Sequence, residues 1–173
     1  DASFYTHRGI DPLSILRALR ANLISGQIEQ GGSTITQQLA RALFLSNERT
    51  FERKFREALL AIKIDRALSK DEILDLYLNT VPYGANTYGI EAAAMMFFQK
   101  HASELSLDES ALLAALPNAP TFFSPYSENE ADLKARQKSI LGKMYALGFI
   151  SRADFTTATA ADTLVHITPR EST

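Results

Sequence analysis

Cysteine is absent from the 173 residues, and with it go disulfide frameworks, thiolate metal sites and cysteine nucleophiles; the absence fits any redox compartment. An excess of one charge is missing too. With 18 basic and 20 acidic residues the formal net charge is −2, so nothing asks for a nucleic acid partner, and anion recognition has to come from local clusters. No run of about 18 apolar residues occurs, and nothing after Asp1 resembles a charged n-region followed by an apolar h-region. The expectation is a soluble protein or an excised domain. The histidines, His7, His101 and His166, are scattered, which excludes a zinc reading. Ser33 follows two glycines but lacks the strand and the pattern of a nucleophile elbow. Internal repeats and low-complexity tracts are absent, and no stretch alternates with period two. The chain is therefore expected to be all-α, one domain able to bury roughly 70% of its unfolded surface.

What is present is a series of helix signals. Asp11-Pro12 reads as an N-cap followed by proline at the first helical position, with Leu13, Leu16, Leu19 and Leu23 repeating behind it. The spacing predicts a helix over residues 12–25. Ile15, Ala18, Ile24 and Ile28 widen its oily surface beyond one stripe, which leaves two readings open: core packing, or contact with a membrane surface from Pro12 to Ile28. Gly31-Gly32 breaks the chain, Ser33 or Thr34 caps a helix to about Phe44, and Thr50 caps a third over residues 51–68 with Phe55, Leu59, Ile62 and Ala67 on one face. Ser69 with Glu72 and Ser106 with Glu109 both fit the capping box. Between them, residues 79–89 read as a shaped loop and residues 90–98 as the most buried helix. Pro117 closes the helix begun at Ser106, and helices over 128–147, with Gly148 as C-cap, and 152–160 complete the chain. Residues 161–173 are expected to begin a connection.

The densest polar hardware lies in residues 31–45, where Ser33, Thr34, Thr36, Gln37 and Gln38 precede Arg41 without an acidic residue between them. That suits the lining of a polar ligand. Arg41, Arg49, Arg53 and Lys54 bracket a turn between two helices and can converge on one point. Guanidinium donors and the free amides at Thr50 would suit a diphosphate. A solvated basic face with Glu48, Glu52 and Glu57 as partners reads equally from spacing alone, and Arg53 and Glu57, four apart, can simply pair. In DASFYTHRG, His7 fits a structural, hydrogen-bonded role or a base.

Five motifs, DASFYTHRG, GGSTITQQLAR, NERTFERKFRE, SKDEILDLYLN and YGIEAAA, stand in the order and spacing of one family. Over residues 1–160 the chain resembles the peptidoglycan glycosyltransferases of glycosyltransferase family 51, found in class A penicillin-binding proteins and monofunctional transglycosylases. The resemblance implies an all-α, lysozyme-like, two-lobed domain over residues 1–160, with residues 161–173 starting a linker to a following, transpeptidase domain. It favours the membrane reading of residues 12–28. It implies polymerisation of lipid II on a growing glycan strand, with inversion and release of undecaprenyl diphosphate, at the extracytoplasmic (periplasmic) face of a bacterial cell membrane.

Residue by residue, the resemblance makes Glu57 catalytic and gives Ser33, Thr34, Gln37, Gln38, Arg41, Arg49, Arg53 and Lys54 substrate-binding roles. Asp1, Phe4 and His7 match the structural part of the first motif, whose general-base glutamate belongs immediately ahead of Asp1; the isolated chain is therefore expected to be nearly inactive. Lys70, Glu72, Tyr77 and Asn79 match the fourth motif, a bracing one. In the fifth, Phe97 and Gln99 replace the usual tyrosine and glycine. No dedicated cofactor is implied, although a divalent ion such as Mg2+ is compatible with the diphosphate. The rival readings are a lytic enzyme on the same fold, which needs an acid in an apolar pocket and no cationic cluster, and an inactive module that binds lipid-linked glycan.

Overall fold

The computed structural model describes residues 1–25, 31–45, 48, 50–84 and 86–169. They fall into two compact units, Asp1–Thr80 and Val81–Thr173. The all-α expectation holds: eight α-helices are present among the described residues, beside one minimal hairpin.

The first unit opens with turns over residues 1–11 and continues with α1 (Pro12–Ser25), α2 (Ile35–Phe44), α3 (Phe51–Ala67) and α4 (Lys70–Thr80). The Asp11-Pro12 start is realised. Asp11 accepts from the Ser14 amide at 3.0 Å and the Ser14 hydroxyl at 2.5 Å, and a third bond arrives from the Ser3 hydroxyl at 2.5 Å. Thr34 caps α2 in a reciprocal box: its hydroxyl accepts from the Gln37 amide at 3.1 Å while Gln37 Oε1 accepts from the Thr34 amide at 3.0 Å. Helix α2 packs on α3 and α4, and Phe4, Leu39 and Ile73 form the core with Ile35, Ile64, Leu68, Leu74 and Tyr77 around it.

The core-packing reading of α1 is not what the structure shows. Leu13, Leu16, Leu19 and Leu23 are all more than half exposed, and Ala18 is the buried residue among the described side chains of this helix. Phe55 and Leu59 of α3 also face outward. Periodicity had grouped these residues on common faces correctly, but a face is not a partner.

The second unit begins with β1 (Pro82–Gly84) and β2 (Thr87–Tyr88), antiparallel, then α5 (Ile90–Phe98), α6 (Leu107–Ala115), α7 (Glu130–Ala146) and α8 (Arg152–Ala160). The hairpin corrects the expectation of a loop without strands, and α4 runs through Thr80, so Asn79 is helical. A non-local approach crowds the hairpin. Gly84 has φ +93°, and a Cβ there would meet Pro120 O at 2.8 Å. Helix α5 buries Ala93, Ala94, Phe97 and Phe98 but leaves Met95 exposed, so it is apolar all round without being buried all round. The Ser106–Glu109 box forms as expected. Ala111, Leu141 and Ala158 make the contact between α6, α7 and α8.

The stretch expected to start a connection at Ala161 is instead fastened to this unit as far as Thr168. Gln137 Nε2 donates at 2.8 Å to Asp108 O and Thr163 Oγ1, the Thr163 hydroxyl donates at 2.8 Å to Asp108, and the Thr168 amide donates at 2.8 Å to Phe97 O. Individual hydrogen bonds, side-chain and backbone, hold it, which is why no helical period announces it.

Candidate active site

The first four motifs all lie in the first unit, and the structure joins all four through hydrogen bonds. Glu57, on α3, is 2% exposed. One of its oxygens takes Arg53 Nη1 at 2.5 Å and the other takes Lys54 Nζ. Lys54 Nζ also donates to Ser33 Oγ at 2.7 Å, 21 residues back in the sequence. This chain, Ser33–Lys54–Glu57–Arg53, ties the glycine-led turn before α2 to the first two turns of α3. Thr50 starts α3 as its cap, accepting from the Arg53 amide at 3.1 Å, so Arg53 and Lys54 are delivered on the first exposed turn of a helix. Two cations share one carboxylate, which leaves one positive charge over in a partly buried corner.

The pairing of Arg53 with Glu57 that spacing allowed is thus present, and it coexists with the convergence of cations. Arg53 and Lys54 each pair with one oxygen of the Glu57 carboxylate. No group of three or more His, Asp or Glu side chains that could hold a metal occurs among the described residues.

The other expected ligand-lining residues divide into two kinds. Thr34 and Gln37 are buried and spent on their mutual box, with the Thr34 hydroxyl donating at 2.6 Å to Gly9 O. Their contribution is the shape of the turn. Gln38 is partly buried, its Oε1 accepting from the Tyr77 hydroxyl at 3.3 Å. Burial pushes the Tyr77 phenol above its ordinary pKa, and the positive charge of Arg41 offsets this in part. Arg41 itself is exposed in the last turn of α2. Thr36 is fully buried and its hydroxyl has no partner. Arg49 lies outside the described residues.

The first segment is docked onto the same helices. The Asp1 carboxylate lies 3.0 Å from His7 Nε2 and accepts from the Ile35 amide at 2.9 Å, at the N-terminus of α2. Phe4 enters the core. Gly9, at φ +79°, lets the chain cross α3 so closely that a Cβ would sit 2.6 Å from Ala61 O. From the fourth motif, Lys70 pairs with Asp65 at 2.5 Å and stands over the Phe4 ring, Glu72 caps with Ser69, and Asn79 Nδ2 donates to Asp75 O at 2.9 Å. Sequence reasoning missed Gly9 and Asp65 as site residues. The first had a signal, a glycine directly after a polar motif; the second had none.

Comparison with known proteins defines the class. The model of the family described as Transglycosylase matches residues 1–145. Penicillin-binding protein 1A of Aquifex aeolicus (strain VF5) is 54% identical over 151 residues, 87% of this chain and 21% of the relative. Penicillin-binding protein 1A of Escherichia coli (strain K12) is 49% identical over 156 residues, 90% of this chain and 18% of the relative. Penicillin-binding protein 1F of Bacillus subtilis (strain 168) is 40% identical over 173 residues, 100% of this chain and 24% of the relative. The crystal structure of penicillin-binding protein 1A from Haemophilus influenzae superposes with a TM-score of 0.50 at 30% identity, covering 73% of this chain and 15% of that one. The fold is the lysozyme-like helical one. The chain belongs to the Transglycosylase family and spans about a fifth of the length of these relatives.

Proposed function

We propose that residues 1–160 form a peptidoglycan glycosyltransferase domain that polymerises lipid II. In this reading the 4-hydroxyl of an incoming N-acetylglucosamine attacks C1 of the N-acetylmuramic acid at the end of the growing strand. The new C–O bond forms as the bond from C1 to the diphosphate oxygen breaks, the anomeric centre inverts, and undecaprenyl diphosphate leaves. A general base takes the hydroxyl proton; the family's first motif carries that glutamate immediately ahead of Asp1. The leaving diphosphate is a stable anion and needs positive charge more than a proton.

The observation that carries this reading is the Ser33–Lys54–Glu57–Arg53 chain, in which a buried carboxylate presets two cations beside the turn of the second motif. Glu57 orients Arg53 and Lys54, and Arg41 and Arg49 add charge for the same diphosphate. A lytic enzyme would instead place an acid in an apolar pocket, whereas Glu57 is flanked by two cations. Exchanging Glu57 for glutamine should lower lipid II turnover by about 10²–10³-fold and weaken diphosphate binding, with the helical circular dichroism retained. Unchanged turnover and unchanged binding would remove Glu57 from the site.

The exposed leucines of α1 support a contact with the membrane surface by residues 12–28, of which residues 26–28 lie outside the described residues. Among the described residues no helix is long and apolar enough to cross a membrane. The family resemblance implies this action at the extracytoplasmic face of a bacterial cell membrane, beside a transpeptidase module, and the relatives are named as penicillin-binding proteins.

A further inference from the structure

Tyr77 and Gln38 stand 39 residues apart in the sequence and meet through one hydrogen bond, the Tyr77 hydroxyl donating to Gln38 Oε1 at 3.3 Å. The Tyr77 ring packs against the core of Phe4, Leu39 and Ile73. A phenylalanine would fill that apolar space equally well, and a hydroxyl carried into it is costly unless it finds a partner. Bracing therefore accounts for the ring of Tyr77 and not for its oxygen.

Gln38 differs from its neighbour. Gln37 is buried, and its Oε1 accepts from the Thr34 amide inside the cap of α2. Gln38 is half-buried, and among the described residues its Nε2 has no hydrogen-bond partner. A side-chain amide carries an acceptor oxygen on one arm and a two-proton donor on the other. With the oxygen turned to Tyr77, the arm left over is the donor. Ser33 is polarised in the same sense: its oxygen accepts from Lys54 Nζ at 2.7 Å, which leaves its own proton to donate. Arg41, three residues beyond Gln38 and so on the same side of α2, is exposed and carries donors only. Ser33, Gln38 and Arg41 thus all offer protons, and what suits them is a ligand that presents oxygen acceptors.

We propose that Tyr77 is a positioning residue: its hydroxyl occupies Gln38 Oε1 and thereby fixes Gln38 as an N–H donor toward an acceptor oxygen of the bound substrate, a diphosphate oxygen or an acetamido carbonyl of the glycan. The identity of the ligand rests on the proposed transfer function; the orientation of the amide does not.

The test is NMR on the 173-residue chain and on its Tyr77→Phe variant, which keeps the ring in the core. Loss of the hydroxyl should move the Gln38 side-chain carbonyl 13C resonance upfield while the helical circular dichroism is retained. Lipid II in detergent micelles should shift the Gln38 Nε2 cross-peaks. Inorganic diphosphate shifting them by itself assigns the acceptor to the diphosphate, and N,N′-diacetylchitobiose doing so assigns it to the acetamido carbonyl. Binding of lipid II should weaken about 3–10-fold in Tyr77→Phe, and Tyr77→Phe added to Gln38→Ala should weaken it no further, because the hydroxyl acts through the amide. A hydroxyl with a merely structural role would weaken binding equally in both backgrounds; that result, or an unmoved Gln38 carbonyl, overturns the proposal. Lipid II that binds and shifts other cross-peaks but not those of Gln38 overturns it as well. Should the parent chain not bind lipid II at all, the transfer function fails, and the carbonyl shift still decides whether Tyr77 orients Gln38.

Discussion

Gln99 ends α5 in the left-handed region, at φ 54° and ψ 37°, its amide bonding back to Met95 O. That is a position glycine fills without a Cβ penalty, and it is one of the two places where the fifth motif departs from the family pattern. The departure therefore bears on the helix end and not on chemistry. Gln99→Gly should stabilise the chain by about 0.5–1 kcal/mol, read as a higher midpoint in urea unfolding; a lower midpoint would mean that the glutamine side chain makes a contact worth more than the strain. The other departure, Phe97, is fully buried against the ring of Tyr126 at 5.6 Å between centroids, a setting that an apolar ring satisfies. Both residues were visible in the sequence as exceptions. What they cost or contribute needed the backbone angle and the neighbour.

At the scale of the element, the helix starts were legible because a cap is local chemistry. Asp11-Pro12, Thr50 and Ser106 with Glu109 each announce a helix within four residues, and each does cap one. The hairpin was illegible for the opposite reason: Gly84 is pressed by Pro120 O, 36 positions along the chain, and spacing does not carry that contact. The Asp11 cap makes a pH prediction. Bonds from the Ser14 hydroxyl, the Ser3 hydroxyl and the Ser14 amide hold its carboxyl well below the ordinary 3.8. A carboxyl depressed in the folded state stabilises above the unfolded value, and that contribution is lost as pH falls below about 3.8. Asp11→Ala should cost about 1 kcal/mol at pH 7, and the gap between parent and variant in thermal unfolding should narrow steadily on acidification below pH 4 or so. A gap constant down to pH 2 or so would show that the charge of Asp11 contributes nothing.

Helix α1 carries Arg17 and Arg20 among its exposed leucines and isoleucines and contains no acidic residue. If this face meets a lipid surface, sedimentation with vesicles of anionic phosphatidylglycerol should exceed sedimentation with zwitterionic phosphatidylcholine. The excess should fall as salt screens it, and Leu16→Glu with Leu23→Glu should abolish binding to both. Equal recovery of the parent and the double variant would move the membrane contact elsewhere. The sequence left α1 open between core and membrane because a 3.6-residue period states which side chains share a face and not what covers them.

For the whole molecule, the five motifs in register carried the family, and the family model and the relatives agree with them. The cationic corner was legible in part: residue types and helix phase placed Arg53, Lys54 and Glu57 together, whereas the bond from Lys54 to Ser33 spans a turn whose path no local rule gives. Thr34 and Gln37, which the family resemblance makes substrate-binding, also cap α2 by bonding each other, a contact that the capping-box spacing makes legible. On the proposed function, this domain builds glycan strands and does not cut them. The direct measurement supplies labelled lipid II, and separately finished peptidoglycan, to the chain with glutamate added ahead of Asp1 and to the 173-residue chain. Strands that lengthen with time on lipid II, at a rate about 10²–10⁴-fold higher with the glutamate present, and no soluble sugar from peptidoglycan, are predicted. Soluble fragments released from finished peptidoglycan, without strand growth on lipid II, would contradict it.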